Sequence, residues 1–391
     1  MKDETKLVVA GRSPESNFGI VNVPVYHAST VLYSSLEELQ KRHIDRAEGK
    51  QVVTYGRMGT PTTWSLENAV AEIEGGYRSH VFPSGLAACA QAILAFTKTG
   101  DHILVTDSVY GPTRAFCNNV LSKFGVETTF YDPLIGSGIS ELMRPNTTIV
   151  FTESPGSQTF EMQDIPAIAG AAHKKNAIVI MDNTWASPLY YKPFSHGVDV
   201  SIQAGTKYIV GHSDVMIGTV TTTKELWPTL QASAAGMGQT TGPDDVYLAQ
   251  RGLRTLSVRL KQHMENGIKI AEWLKGQSQV HSVLHPALKD HPGHSLWKRD
   301  FLGASGLFSF RLNAVSMEAV AAFMDHLELF GMGYSWGGFE SLVIYADPSS
   351  YRTATKWDNT NPLIRLHIGL EDPDDLIADL KAGFDRLDAA K

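Results

Sequence analysis

The sequence predicts an α/β protein, with a large domain on a mostly parallel, doubly wound sheet and a smaller α+β domain at the C-terminus. Three observations carry this. From about residue 61 to 223, apolar runs of strand length alternate with helix-spaced stretches across short connections, as βα units do. After that the pattern turns helical and then mixes strands with helices, so a second layer begins near residue 250. A length of 391 residues exceeds one minimal domain and suits one large and one small.

Taken in order, residues 1–60 lack sustained periodicity and read as an extended arm ordered by contact with a neighbouring subunit. The arm holds Val23-Pro24-Val25-Tyr26 and the turn Thr54-Tyr55-Gly56-Arg57. Leu66, Ala69, Val70 and Ile73 then fall at helical spacing, with Thr62 or Thr63 as N-cap. Strands are predicted over 79–82, 102–106, 126–131, 148–152, 177–181, 199–203 and 216–223, and helices over 85–96, 113–124 and 164–175. Residues 246–277 form one long helix or two joined near Asn266-Gly267. Strands over 306–312, 341–345 and 363–368 and helices over 317–330 and 374–387 complete the chain. The resulting division is an arm (1–60), a large domain (61–250) and a small domain (251–391).

Composition narrows the function classes. A hydrophobic content of 43% with 19% charged residues is that of a well-cored soluble protein, and a net charge of -7 without a Lys/Arg tract argues against a nucleic-acid partner. No apolar stretch approaches membrane-spanning length, and MKDETKLVVAGR lacks a signal-peptide core. Two cysteines, Cys89 and Cys117, give no disulfide framework and point to a reducing, cytoplasmic setting. His285, His291 and His294 lie close together, but with no carboxylate or Cys at ligand spacing they read as polar residues of a surface loop, and no metal is expected.

The chemistry concentrates between Asp182 and Asp214. Two buried-strand runs end in Asp182 and in Thr206-Lys207, and the carboxyl ends of strands line the ligand crevice of such sheets. A lysine or an acid ending one strand is commonly a snorkelling or turn-forming residue. Together they suit pyridoxal 5'-phosphate (PLP): the lysine forms a Schiff base with its aldehyde, and the acid keeps the pyridine nitrogen protonated. Pro83-Ser84-Gly85-Leu86 places a helix N-terminus, with Ser84 as cap, where Gly85 and Leu86 N–H groups would meet a phosphate. Tyr110 follows a strand end and can stack on a flat ring or pack a loop. Tyr55 and Arg57, a phenol and a guanidinium two residues apart, suit a phosphate.

These motifs resemble the Cys/Met-metabolism family of PLP enzymes, the group of cystathionine β-lyase, γ-lyase and γ-synthase. They are Tyr55-Gly-Arg57 with Pro61-Thr62, Pro83-Ser84-Gly85-Leu86-Ala87-Ala88, Val109-Tyr110-Gly111, Glu153-Ser154-Pro155-Gly156-Ser157, Asp182-Asn183-Thr184, Thr206-Lys207-Tyr208-Ile209-Val210-Gly211-His212-Ser213-Asp214 and Arg251-Gly252-Leu253-Arg254-Thr255-Leu256, nearly the whole chain. The resemblance implies an aspartate-aminotransferase-like, fold type I large domain. It implies Lys207 as the cofactor lysine, Asp182 at the pyridine nitrogen and Tyr110 on the ring. Gly85, Leu86 and Thr206 bind the phosphate, with Tyr55 and Arg57 from a neighbouring subunit of a homotetramer. Arg365 clamps the substrate α-carboxylate beside Tyr110, Ser335 and Trp336. Ala204 stands where the family usually has Ser, which removes one phosphate hydrogen bond. The implied reaction is α,β-elimination of L-cystathionine to homocysteine, pyruvate and ammonia, with Lys207, Tyr110 and Asp182 as catalytic groups. Ser335-Trp336-Gly337-Gly338 looks like the bacterial β-lyase version, since the γ-enzymes usually have an aliphatic residue in place of Trp336. A γ-lyase, γ-synthase or methionine γ-lyase type activity stays open, as does a PLP-binding regulatory protein with weak lyase activity.

Overall fold

The computed structural model describes residues 1–391. The larger of its two sheets has seven strands: β1 (Arg78–Phe82), β2 (His102–Thr106), β3 (Glu127–Tyr131), β4 (Thr147–Glu153), β5 (Ile178–Asp182), β6 (Val200–Gln203) and β7 (Gly218–Thr222). Their order is β1-β7-β6-β5-β4-β2-β3. β6, β5, β4, β2 and β3 run parallel, whereas β7 is antiparallel to β1 and β6. Ile103, Val105, Ile149, Phe151 and Ile180 pack on one face, while Leu104, Val150, Val179 and Met181 pack on the other. That is why these strands are continuous apolar runs: alternate side chains enter two separate cores, each under its own helices.

The second sheet comprises β8 (Val280–Leu284), β9 (Leu307–Leu312), β10 (Gly331–Met332), β11 (Leu342–Ala346) and β12 (Leu363–His367), in the order β10-β11-β12-β9-β8. Only the β10–β11 pair is parallel. The helices Met317–Met324 and Pro373–Ala389 cover it, with Phe310, Phe323 and Phe384 in mutual contact. The expected fold class, a mostly parallel α/β sheet plus a smaller α+β layer, is therefore present.

Several local expectations need correction. The long helical stretch does divide, but at Thr255, into Pro243–Arg254 and Leu256–Lys275, not near Gly267. Gly267 instead lets the helix approach Gly306, whose Cα would lie 3.1 Å from an added Cβ. The helix over Pro61–Glu74 is capped by Thr60, whose N–H meets Thr63 Oγ1 at 3.4 Å. Thr62 serves the arm: its hydroxyl donates to Pro24 O and accepts from Tyr26 N. The arm is also not wholly extended, since it contains helices Asp3–Val9 and Leu36–Ala47. Leu7 is fully buried among Leu66, Val246 and Leu253, a contact worth about 1.5–3 kcal/mol. Arg254 donates to the carbonyls of Leu7 and Ala10, so the first ten residues pack on their own chain. His285 and His291 are buried, not on the surface, and their Nδ1 atoms accept the N–H groups of Ala287 and Gly293.

One of the ties between the two sheets runs through the residues that follow β2. Asp107, fully buried after β2, accepts hydrogen bonds from the N–H groups of Thr353, Ala354 and Thr355 and from Thr355 Oγ1. Arg114 pairs with the same carboxylate at 2.5 Å. Burial alone would push this carboxyl up, but those hydrogen bonds outweigh it and hold it below the usual range. Next to it Arg352 donates to Glu161 at 2.7 Å.

Candidate active site

The carboxyl ends of the parallel strands and the N-terminus of the helix Gly85–Ala95 surround a cavity of about 320 Å³. Of the residues predicted from sequence, Gly85, Leu86, Tyr110, Asp182, Thr206, Lys207, Trp336 and Arg365 line it together. Ser335 reaches its lysine. Tyr55 and Arg57 do not: they line a separate surface cavity with Ala28, Ser29 and Thr240 to Pro243, where Arg57 donates to Ala235 O.

Lys207 Nζ donates to Ser335 Oγ at 2.6 Å and stands 5.3 Å from the Trp336 ring centre. Burial lowers the Lys207 pKa to about 8, the Arg365 cation pushes the same way, and Asp182 opposes. The chain after Lys207 is held from behind. Gly252 comes so close that an added Cβ would lie 2.4 Å from Ile209 O and Val210 O. Arg259, buried, donates to the carbonyls of Tyr208, Ile209 and Gly252. The Arg-Gly-Leu-Arg-Thr-Leu motif thus buttresses the lysine segment, and the helix break at Thr255 is where Arg259 turns back, its Nε donating to Thr255 Oγ1.

Asp182 ends β5. Its Oδ1 accepts both the N–H and the hydroxyl of Thr184, while Oδ2 meets only the weakly donating Cys89 thiol at 3.8 Å. Burial raises its pKa, against the Thr184 bonds and the Lys207 cation. Beside it on β4 sits Glu153, paired in register with Asp182. Burial, then the Asp182 charge, pushes its carboxyl well up, and its Oε2 accepts the Tyr110 N–H at 2.7 Å. Glu153 therefore sets where Tyr110 begins its turn. Burial also raises the Tyr110 phenol, so it stays protonated at neutral pH.

At the helix start, Ser84 accepts from Ala87 N, leaving the first N–H groups of the helix without intrahelical acceptors. Gly85 is required there: a Cβ would lie 2.5 Å from Ala204 Cβ, so the residue in the usual Ser position is a methyl pressed on the helix start. Thr206 lines the cavity, but its hydroxyl donates to Ile217 O and accepts from Ile217 N, so a phosphate contact requires it to give up the first bond.

Opposite, on β12, Arg365 donates to Ser335 O at 3.0 Å, and burial lowers its pKa to about 10. Ser335 has φ +83°, a left-handed conformation costly for a non-glycine residue, held by these contacts on either side. Glu153, Cys89 and Thr184 line the cavity without having been assigned a role from sequence. Glu153 and Thr184 left a signal there, inside the Glu153-Ser154-Pro155-Gly156 and Asp182-Asn183-Thr184 motifs, and Cys89 left none.

The donor set fits PLP. An amine softened by burial, a carboxylate with one free oxygen and a helix N-terminus converge on one cavity of suitable size. The comparisons agree. The family described as Cys/Met metabolism PLP-dependent enzyme matches residues 4–385. The chain is 49% identical over 392 residues to the cystathionine beta-lyase MetC of Escherichia coli, covering 99% of each. It is 42% identical over 400 residues to an L-alanine/L-glutamate racemase of Wolbachia pipientis, covering 99% of this chain and 98% of that protein. The crystal structure of metB from Corynebacterium glutamicum superposes with a TM-score of 0.90 at 33% identity, over 99% of this chain and 98% of the other. The motifs along the chain, the cavity they build and these likenesses place it in one group: the chain belongs to the Cys/Met metabolism family of PLP-dependent enzymes.

Proposed function

We propose that this enzyme is a carbon–sulfur β-lyase that eliminates homocysteine from L-cystathionine, the released three-carbon enamine taking up water to give pyruvate and ammonia. The observation that carries the reading is the convergence of Lys207, Asp182, Tyr110 and Arg365 on one cavity, under the indole of Trp336. The near-full-length likeness to a cystathionine beta-lyase supports the substrate.

PLP, when bound, supplies an aldehyde for amines and a ring that takes up negative charge from Cα. Lys207 would hold it through its amine, Asp182 at the pyridine nitrogen, Tyr110 by stacking, and Gly85 and Leu86 at the phosphate. Arg365 orients the substrate carboxylate in a two-pronged grip beside Ser335. Lys207, once released by the incoming substrate amine, takes the Cα proton. With a pKa of about 8, a substantial neutral fraction is present near that pH, and it grows as pH rises. The leaving thiolate receives a proton from Lys207 or from the Tyr110 phenol. Trp336 narrows the cavity beside Cβ, which favours a β- over a γ-leaving group. Product analysis with L-cystathionine tests this: pyruvate plus homocysteine is expected. Cysteine plus 2-oxobutyrate would move the assignment to γ-chemistry, and L-alanine racemisation without thiol release would replace it altogether.

The assembly reading follows from the arm. Residues 1–60 serve as an intersubunit arm, 61–250 as the cofactor domain and 251–391 as the small domain. Phe18, Leu32 and Leu36 are 98%, 86% and 69% exposed, an apolar display that suits subunit contact. Tyr55 and Arg57 would complete the phosphate site of a neighbouring chain in a cytoplasmic homotetramer. No helix is long and apolar enough to cross a membrane. Mixing Arg57→Ala with Lys207→Ala subunits is expected to restore activity, because each hybrid dimer carries one site with both residues. Silence from a mixture shown to exchange subunits would count against a shared site.

A further inference from the structure

We infer that His367 is a positioning residue of this site: its imidazole fixes the loop through which Lys207 and Arg365 are both held. The inference rests on the reading that Arg365 binds the substrate carboxylate. The loop is Ser335-Trp336-Gly337-Gly338. Its first residue accepts from Lys207 through Oγ and from Arg365 through its carbonyl. Its third packs against Lys207 so closely that an added Cβ would lie 2.9 Å from the lysine Cα, and it needs φ +87°. A loop touched this way by both groups passes any shift to both.

His367 lies beneath it, fully buried on β12, on the same face as Arg365 two residues before. Its Nε2 is 3.1 Å from Gly337 N and 3.1 Å from Gly338 O. One ring nitrogen cannot serve both, since accepting needs a lone pair and donating needs a proton. A buried peptide N–H left without an acceptor is rarer than a carbonyl short of a donor. The lone pair therefore belongs to Gly337 N–H, and the proton to Nδ1.

The neighbouring ring agrees. His263, also fully buried, must donate from Nδ1 to Ile368 O at 2.8 Å, because a carbonyl only accepts, and this leaves a bare lone pair on its Nε2. That Nε2 and His367 Nδ1 are both buried without partners, in rings whose centres are 5.2 Å apart. The two unmatched nitrogens are complementary in kind, a lone pair on His263 and a proton on His367, without meeting at hydrogen-bond distance. Tyr208, next to Lys207, touches both imidazoles and the Trp336 indole. The neutral histidine pair, the tyrosine and the indole thus form one packed block beneath the loop.

The test uses the PLP-loaded enzyme and L-alanine, an amino acid without a β-leaving group, with binding read from the change in cofactor absorption. His367→Leu keeps the bulk and removes the acceptor. It is expected to retain its cofactor, to bind L-alanine roughly tenfold more weakly and to raise KM by a similar factor, the effect of one buried N–H left unpaired. The kcat should change by less than about threefold, since ground-state placement is what is lost. His367→Asn, whose amide oxygen can accept from Gly337, should recover most of the affinity. Arg365→Ala is the control. Parent-like L-alanine affinity in His367→Leu beside a weakened Arg365→Ala overturns the inference and leaves the carboxylate reading standing. Unchanged affinity in Arg365→Ala removes the carboxylate reading and the inference with it. Should His367→Leu fail to fold, His367→Ser is judged by the same measurements.

Discussion

Lys207→Ala is expected to abolish turnover, with the largest loss of any single substitution in the chain. The amine both holds the cofactor and moves the Cα proton, and a positioned general base alone contributes about 10²–10⁴-fold. The parent protein should be yellow. Borohydride should bleach it and leave a pyridoxyl group on the peptide containing Thr206-Lys207-Tyr208. In Lys207→Ala that label should vanish. Label recovered from another lysine, in either protein, would sink the mechanism.

Arg365→Ala is expected to keep its colour and cofactor content while losing roughly thirty- to several-thousand-fold in kcat/KM, the equivalent of about 2–5 kcal/mol for a broken charged pair. Arg365→Lys should recover little, because an ammonium cannot copy the planar two-pronged grip. Arg365 sits on the second sheet, with its guanidinium on Ser335 O and not at the helix start where a phosphate would lie. Cofactor loss in Arg365→Ala would contradict that placement, and near-normal kcat/KM would contradict the carboxylate role. The two outcomes are told apart by measuring occupancy beside kinetics on one sample.

The sequence was most readable where function or burial imposes an unbroken local pattern. Runs such as Ile103-Leu104-Val105 and Val179-Ile180-Met181 announced a sheet covered on both faces, because every side chain in them is buried. The antiparallel direction of β7 left no such mark, since its fully buried strand reads the same in either direction. β8 was missed because its residues, Val-His-Ser-Val-Leu, are unevenly buried and show no clean alternation. The helix Leu36–Ala47 buries no residue in the single chain, so it presents no apolar stripe against a core. In the cavity, Lys207, Asp182 and Arg365 could be named from motifs. Glu153 could not be given a role, because what it does depends on β4 pairing with β5 and on a turn reaching Tyr110 from elsewhere in the chain. His285 and His291 show the converse: a polar, proline-rich stretch was read as surface although its turns fold inward.

The ties between the two domains bear on how a substrate is received. Four hydrogen bonds from Thr353, Ala354 and Thr355 enter Asp107, and two from Arg352 enter Glu161. Hydrogen bonds to charged groups contribute about 1.5–3 kcal/mol each, so separating the sheets there would cost far more than thermal motion supplies. Tyr351 also donates to Gln158, a lining residue, which stiffens the wall nearest these bonds. The Ser335–Glu340 segment carries ties of its own, since Ser213 donates to the Glu340 carboxylate and Lys207 to Ser335 Oγ. The cavity is therefore clamped across at two places, and a substrate has to fit between walls already set and not wait for them to part.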